Sequence, residues 1–117
     1  MADHFVVRVY TYYRDVDRGD VDRIIDLFAP EATYRRGQSF LLEGRDAIAA
    51  FYTDVRKLVG THTLHEVRGE GDEVWVRGTF TGTHDGQPVE IQWSDRWVFD
   101  DRGLVRLRES ELDHDGM

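Results

Sequence analysis

The chain has 117 residues, of which 40% are hydrophobic, and this length supports one hydrophobic core rather than two. It contains no cysteine, which excludes disulfide and thiolate chemistry. The formal charge of −8 disfavours nucleic acid and anionic lipid as partners, and no apolar run approaches the roughly 20 residues that cross a bilayer. We therefore expect a single domain over residues 1–117, and the lack of a leader-like segment favours a cytoplasmic protein.

The first half of the sequence has a helical period. The apolar positions of the first predicted helix recur at steps of three and four residues: Phe5, Val9, Tyr12 and Val16. Gly19 is placed to end this helix, and Asp20 is placed to cap a short second helix. That second helix is predicted to run through Phe28 and to be closed by Pro30.

Two short strands and a third helix follow. Residues 33–36 and 39–43 are predicted to form strands on either side of Gly37. The third helix is predicted from a further set of apolar positions: Ile48, Phe51, Tyr52, Val55 and Leu58. Gly60 is expected to end it.

In the second half the hydrophobic period changes to two. Runs begin near Thr61, Glu73, Pro88 and Leu104, and turn-forming residues separate them, among which Asp85-Gly86 is the strongest hairpin signal. The connections are too short for crossover helices, so these four strands are predicted to be antiparallel, with the helices gathered on one face of the sheet.

Several motifs resemble the nuclear-transport-factor-2-like superfamily, and its SnoaL-like members in particular. They are Gly19-Asp20-Val21-Asp22, Leu27-Phe28-Ala29-Pro30-Glu31-Ala32-Thr33, Glu43-Gly44-Arg45-Asp46-Ala47-Ile48 and Asp95-Arg96-Trp97-Val98-Phe99-Asp100. The resemblance implies an α+β fold, a cone-shaped barrel in which three N-terminal helices pack on a strongly curved mixed or antiparallel sheet of about six strands and enclose a cavity. The superfamily includes ketosteroid isomerases, polyketide cyclases, limonene-epoxide hydrolases, dehydratases and non-enzymatic association domains, so the fold alone does not assign a reaction.

Strand alternation predicts which polar residues face that cavity. On the strand after the Asp85-Gly86 turn, one face is almost wholly apolar and contains Asp95, which must therefore be paired, hydrogen-bonded or protonated. If Val105 faces inward on the last strand, the same phase turns Glu109 and Glu111 inward and Arg106 and Arg108 towards solvent.

The short strand after Pro30 adds a cation to this set. The phase that buries Tyr34 also turns Arg36 inward, where it is a counter-charge for the acids. We expect a catalytic group of Asp95, Glu109 and Arg36 with Tyr12 nearby. The alternative is a buried structural ion pair without catalytic function. The predicted substrate-binding wall consists of Tyr34, Phe51, Trp93, Trp97 and Glu111.

The resemblance to ketosteroid isomerases is incomplete. Tyr12 falls at the position of their oxyanion-stabilising tyrosine, and Asp95 falls at that of the aspartic acid that they keep protonated. Arg36, however, stands where they have the aspartate base, and an arginine cannot abstract a proton at neutral pH. The base would then be Glu109, Glu111 or Asp95 itself.

Two other branches of the superfamily use residue types that this chain also has. The limonene-epoxide hydrolases use two aspartates and an arginine, and Arg36, Asp95 and Glu109 match these residue types but not their order along the chain. The SnoaL-like cyclases use an aspartate of the sheet as acid–base catalyst in an aldol closure, a role that Asp95 could take. This cyclase-like reading is our leading enzymatic hypothesis.

Other ligands and partners follow from the remaining side chains. His62 and His65 would point to opposite faces of one strand, so no metal site is expected, although one of them could line the cavity as a proton carrier. No cofactor is expected. Aromatic residues on both faces of the sheet suggest a homodimer in addition to a small-molecule ligand.

The sequence thus predicts a cofactor-independent isomerase, cyclase or hydrolase for a small, apolar, oxygenated substrate. A non-catalytic ligand-binding or association module of the same fold is the alternative.

Overall fold

Helix α1, Ala2–Asp17, buries the apolar stripe that the sequence predicts. It packs mainly against the two strands that residues 58–70 and 73–84 form. The structure is a computed structural model and describes residues 2–113. None of the described helices is both long and apolar enough to cross a bilayer.

Helix α2, Val21–Ile25, is shorter than predicted. Asp20 caps it by accepting a hydrogen bond from the Arg23 amide, as expected for this residue type. The helix ends before Phe28, which instead begins strand β1, Phe28–Arg36. The prediction that Pro30 closes the helix is therefore wrong. Pro30 lies inside β1, in the stretch where the pairing with the neighbouring strand is interrupted, and a residue without an N–H is tolerated there.

Strand β2, Phe40–Glu43, pairs antiparallel with β1 and leads into α3, Arg45–Ala50. A π-helical segment, Phe51–Val55, continues α3. The third helix was predicted to continue to Leu58, but Leu58 is the first residue of β3. The π-helical turn, a form that is rare and frequent near functional sites, directs Phe51 and Tyr52 into the core.

Three long strands and a final shorter one complete the sheet: β3, Leu58–Glu70; β4, Glu73–His84; β5, Gln87–Phe99; and β6, Val105–Leu112. Their order is β2-β1-β6-β5-β4-β3. The pairs β3–β4, β4–β5 and β5–β6 are antiparallel as predicted, whereas β1 and β6 run parallel. The fold is therefore α+β, with three helices packed against a mixed six-stranded sheet.

Candidate active site

Asp95 lies in the middle of β5 and only 4% of its surface is exposed. Its carboxylate accepts a hydrogen bond from Arg108 Nη2 at 2.8 Å and others from the hydroxyls of Tyr13 and Ser110. Burial alone would raise the pKa of Asp95, but the Arg108 charge and the two hydroxyl donors outweigh it and hold the pKa below its usual value. Asp95 is therefore a carboxylate at neutral pH, unlike the protonated acid that the ketosteroid-isomerase resemblance implies.

Arg108 is the centre of this cluster. Its Nη1 atom donates to the Tyr12 and Tyr52 hydroxyls at 2.6 and 2.7 Å, while its Nη2 atom binds Asp95. The guanidinium carbon lies 4.3 Å from the ring centroid of Trp97, which adds a cation–π contact. The side chain is 4% exposed, so the expectation that Arg108 faces solvent is wrong.

A β-bulge explains that error. Val105 pairs with Phe99 but Leu107 pairs with Val98, so β6 contains one residue more than β5 over the same length. The extra residue, Arg106, reverses the inside–outside phase of everything after it. Simple alternation from Val105 therefore places Arg106 correctly but assigns every side chain of β6 after it to the wrong face.

Glu109 and Glu111 consequently lie on the outer face of the sheet, and the expectation that they face the cavity is also wrong. Glu109 binds Arg96 at 2.9 Å and Arg35 at 3.3 Å, and Glu111 binds Arg35 at 3.2 Å. The hydrogen bond from Arg96 is the largest cause of the lowered pKa of Glu109, and the bond from Arg35 adds to it. These acids belong to a surface ion-pair network.

Arg36 and Tyr34 are buried, as the phase of β1 predicts. Arg36 Nη1 donates to the Tyr34 hydroxyl at 2.7 Å, and the Tyr34 oxygen lies 3.3 Å from Ser110 Oγ. Because Ser110 donates its only proton to Asp95, it accepts from Tyr34, and the hydrogen bonds run in one direction from Arg36 to Asp95. Burial raises the pKa of Tyr34, but the charges of Arg108 and Arg36 outweigh it, and the net shift is downward.

A cavity of about 20 Å³ lies beside this network. Its polar wall is formed by Arg36, His62, Asp95, Arg108 and Ser110, and its apolar wall by Leu58, Phe80, Ile91, Trp93 and Leu112. That volume holds about one water molecule. In this conformation only the end of a substrate could enter it.

His62 is held on the cavity wall by Asp17. Its backbone N–H donates to Asp17 Oδ2 at 2.9 Å, and its ring Nδ1 lies 2.5 Å from Asp17 Oδ1. A carboxylate only accepts hydrogen bonds, so Nδ1 carries the proton and Nε2 keeps its lone pair. Burial lowers the pKa of His62 more than the Asp17 hydrogen bond raises it. His62 is thus neutral at pH 7 and able to accept a proton at Nε2.

The nine predicted site residues separate into three groups. Asp95, Arg36 and Trp93 line the cavity. Tyr12, Tyr34, Phe51 and Trp97 are buried in the core around Arg108 and Arg36 and do not line it. Glu109 and Glu111 are on the outer face. The structure therefore brings together only part of the predicted set.

Several residues of the cluster were not among the predicted site residues: Arg108, Ser110, Tyr13, Tyr52 and Asp17. Tyr13 follows Tyr12 in the first predicted helix, beside its apolar stripe, so that stripe was a usable signal. The sequence predicts His62 only as a proton carrier on the cavity wall, and its pairing with Asp17 joins positions 45 residues apart.

His65 lies on the exposed side of β3 and contacts Thr79 at 2.8 Å. Within residues 2–113, no group of three or more His, Asp or Glu side chains is arranged to hold a metal.

Two solved structures are similar over nearly the whole chain. One is described as an LEH-like epoxide hydrolase of M. tuberculosis, with a TM-score of 0.84 and 15% identity over 99% of this chain and 87% of that one. The other is described as a SnoaL-like polyketide cyclase from Jannaschia sp. CCS1, with a TM-score of 0.82 and 20% identity over 97% of this chain and 88% of that one. At these identities the likeness shows the fold.

A comparison with curated protein sequences gives no match. The SnoaL-like domain family, in contrast, matches residues 9–107. That match and the structural likeness agree with the nuclear-transport-factor-2-like superfamily that the sequence motifs resemble. The chain belongs to the SnoaL-like domain family.

Proposed function

We propose that the protein is a cofactor-independent acid–base enzyme in which His62 is the general base for a small oxygenated substrate. The observation that carries this proposal is the geometry of His62 and Asp17. The ring is fixed through Nδ1, its Nε2 has no hydrogen bond among residues 2–113, and it lies on the wall of the cavity. A neutral, oriented imidazole is the most frequent general base in enzymes.

The other polar residues support that base in different ways. Arg36 and Arg108 are both cations on the cavity wall, and because Arg108 already binds Asp95, we assign to Arg36 the stabilisation of negative charge that develops on a substrate oxygen. Asp95 and Tyr12 are both bound to Arg108. We propose that they hold this guanidinium as a rigid wall, instead of the direct acid–base and oxyanion roles expected from the sequence.

Among the reactions found in similar folds, proton abstraction next to a carbonyl group agrees best with this arrangement. It requires one base and a donor to the developing enolate, as in an aldol-type cyclisation or a double-bond isomerisation. Epoxide hydrolysis by two carboxylates and an arginine is less favoured, because Glu109 and Glu111 are on the outer face and leave Asp95 as the only acid on the cavity wall within residues 2–113.

Substitution of His62 tests the proposal. We expect His62→Gln to lower turnover by about 100- to 10,000-fold, the usual contribution of a general base. The matched control is His65→Gln, on the exposed side of the same strand, which should retain full turnover. Candidate substrates are aromatic polyketide fragments, 3-ketosteroids and terpene epoxides, assayed separately. Equal turnover by His62→Gln and the native protein on any accepted substrate would exclude His62 as the base.

A specific observation also favours a second function, a non-catalytic ligand-binding or association module. The cavity has a volume of only about 20 Å³, and both Asp95 oxygens already accept hydrogen bonds from the protein. A module of this kind would raise its melting temperature with a ligand, yet convert none of the three substrate classes. Turnover of any of them that depends on His62 would rule it out.

We also propose that the protein forms a homodimer through the outer face of the sheet. A groove of about 350 Å³ crosses this face, where the half-buried Trp75 ring lies under the Arg68 guanidinium at 4.7 Å. The groove contains acids such as Glu66 as well as arginines such as Arg77, so a second copy could match it in charge. Analytical ultracentrifugation should show twice the chain mass of 13.6 kDa, and a species of 13.6 kDa alone would refute the dimer.

We also propose that the protein is located in the cytoplasm, which fractionation of expressing cells would test.

A further inference from the structure

The two inward tryptophans of β5 differ in one respect. Trp97 donates its indole N–H to the Tyr13 hydroxyl at 3.2 Å. Trp93 lies four residues earlier on the same face and is 94% buried, but its indole N–H has no acceptor within residues 2–113. A buried donor without an acceptor is unfavourable, and native proteins rarely keep one without a reason.

Arg108 Nε also lacks a hydrogen-bond acceptor in the described part of the chain, but its surroundings explain it. The guanidinium is covered by the rings of Tyr12, Tyr34 and Trp97 at 4.3–4.6 Å, and its other two nitrogens are hydrogen-bonded. The π-faces of these rings attract a cation. Trp93 carries no charge, so its unused donor is not explained in this way.

The Trp93 indole is fixed on the cavity wall. It stacks on the Tyr13 ring with 5.1 Å between centroids, and it packs against the backbone of β4 at Gly78, where an added Cβ would lie 2.7 Å from the indole. The His62 ring is 5.5 Å from it, centroid to centroid. The Trp93 ring, whose N–H has no acceptor within residues 2–113, and the His62 ring, which keeps a lone pair on Nε2, thus line the same small cavity.

We propose that the Trp93 indole N–H binds the carbonyl oxygen of the substrate. The proton step rests on the proposed function. His62 Nε2 takes a proton from the carbon next to the carbonyl, and the C–H electron pair forms the new C=C bond. The carbonyl π pair moves to oxygen, where Trp93 and Arg36 stabilise the enolate. The enolate then recovers the proton from His62 at another carbon, or it attacks a second carbonyl carbon, whose π pair moves to its oxygen and takes up the proton from His62.

Indole nitrogen NMR tests the oxygen site directly. The probe is acetone, and its matched control is isobutene, which has the same shape with CH₂ in place of oxygen. The ¹⁵N-labelled protein gives three indole signals, one each from Trp75, Trp93 and Trp97. We expect acetone, but not isobutene, to move the Trp93 signal downfield by hydrogen bonding. An unchanged Trp93 signal, or an equal shift with isobutene, would overturn the proposal.

Two variants separate the oxygen site from the base. In D₂O, the native protein should accelerate deuterium incorporation into acetone, and Trp93→Phe should reduce this acceleration at least tenfold. His62→Gln should abolish the exchange but keep the Trp93 shift with acetone. If His62→Gln exchanges as fast as the native protein while the shift persists, the base is wrong and the oxygen site stands. Should Trp93→Phe not fold, Trp75→Phe on the outer face and the proximity of Trp93 to the His62 ring assign the signals, and the shift decides.

Discussion

Replacement of Arg108 by methionine tests whether the buried ion pair organises the site. Methionine has a similar length, but it cannot donate to Asp95, Tyr12 or Tyr52, which now receive hydrogen bonds at 2.8, 2.6 and 2.7 Å. Removal of one partner of a buried pair leaves an uncompensated charge and costs about 3–5 kcal/mol. That is a large part of the roughly 5–15 kcal/mol by which a domain is stable, so Arg108→Met should be strongly destabilised.

The pH dependence of stability should change sign with this substitution. In the native protein the folded-state pKa of Asp95 is below its unfolded value, so the carboxylate stabilises the fold above the unfolded pKa. This stabilisation is lost as the pH falls through the folded pKa. Without Arg108, burial raises the folded pKa of Asp95. Its contribution is then fully present below the unfolded pKa and is lost as the pH rises through the folded one.

Both effects are measured by urea unfolding, followed by tryptophan fluorescence, at a series of pH values. The series runs from about 3 to about 7, a range that includes the usual aspartate pKa. Arg35→Met is the matched control, because it removes an arginine from the surface pairs with Glu109 and Glu111 and should cost about 0.2–1 kcal/mol. If Arg108→Met lost no more stability at neutral pH than Arg35→Met, the buried pair would not have the importance that we assign to it.

Two further predictions concern the cavity wall. The NMR titration of His62 should have its midpoint below the usual histidine pKa of about 6.5, because burial opposes the charged ring. In Asp17→Asn the midpoint should be lower still, because Asp17 favours the charged ring. A midpoint at or above the usual value in the native protein would contradict the neutral base. The pKa of His62 is lower in the folded state than in the unfolded state. Its stabilisation of the fold is therefore present above the unfolded pKa and is lost as the pH falls through the folded pKa. Gly78→Ala should lower stability by about 1–3 kcal/mol in urea unfolding, because the added Cβ would lie 2.3 Å from the Thr63 carbonyl oxygen. The control Thr81→Ala, on the exposed face of β4, should change stability by less than about 0.5 kcal/mol. Equal effects of the two substitutions would refute the close contact.

The parts of the fold that follow a regular period could be predicted from the sequence. The stripe of α1 and the alternation of β5 placed Tyr12, Trp93, Asp95 and Trp97 in the interior, and the structure buries all four. These elements are regular, so their side chains keep one phase from end to end. The burial of Arg36 followed from the phase of β1 in the same way.

Irregular elements account for the errors. The bulge in β6 reverses the phase after Arg106, and the interrupted pairing of β1 accommodates Pro30 in a strand. Neither irregularity has a periodic signature, because each depends on how one strand pairs with a distant one. The contact of His62 with Asp17 is similarly non-local. It joins the end of the first helix to a strand, and only the closed fold brings the two together.

The surplus residue of β6 also has an evolutionary consequence. Deletion of Arg106 would restore a regular ladder, and the pairs of Trp97 with Arg108 and of Asp95 with Ser110 would keep their partners and their faces. Related chains can therefore gain or lose one residue at this bulge and keep the same interior. A single insertion further along β6 would instead exchange the inward and outward side chains that follow it. An alignment without a gap at this point would match the buried Arg108 with a surface carboxylate, and catalytic assignments transferred through it would be misplaced by one position.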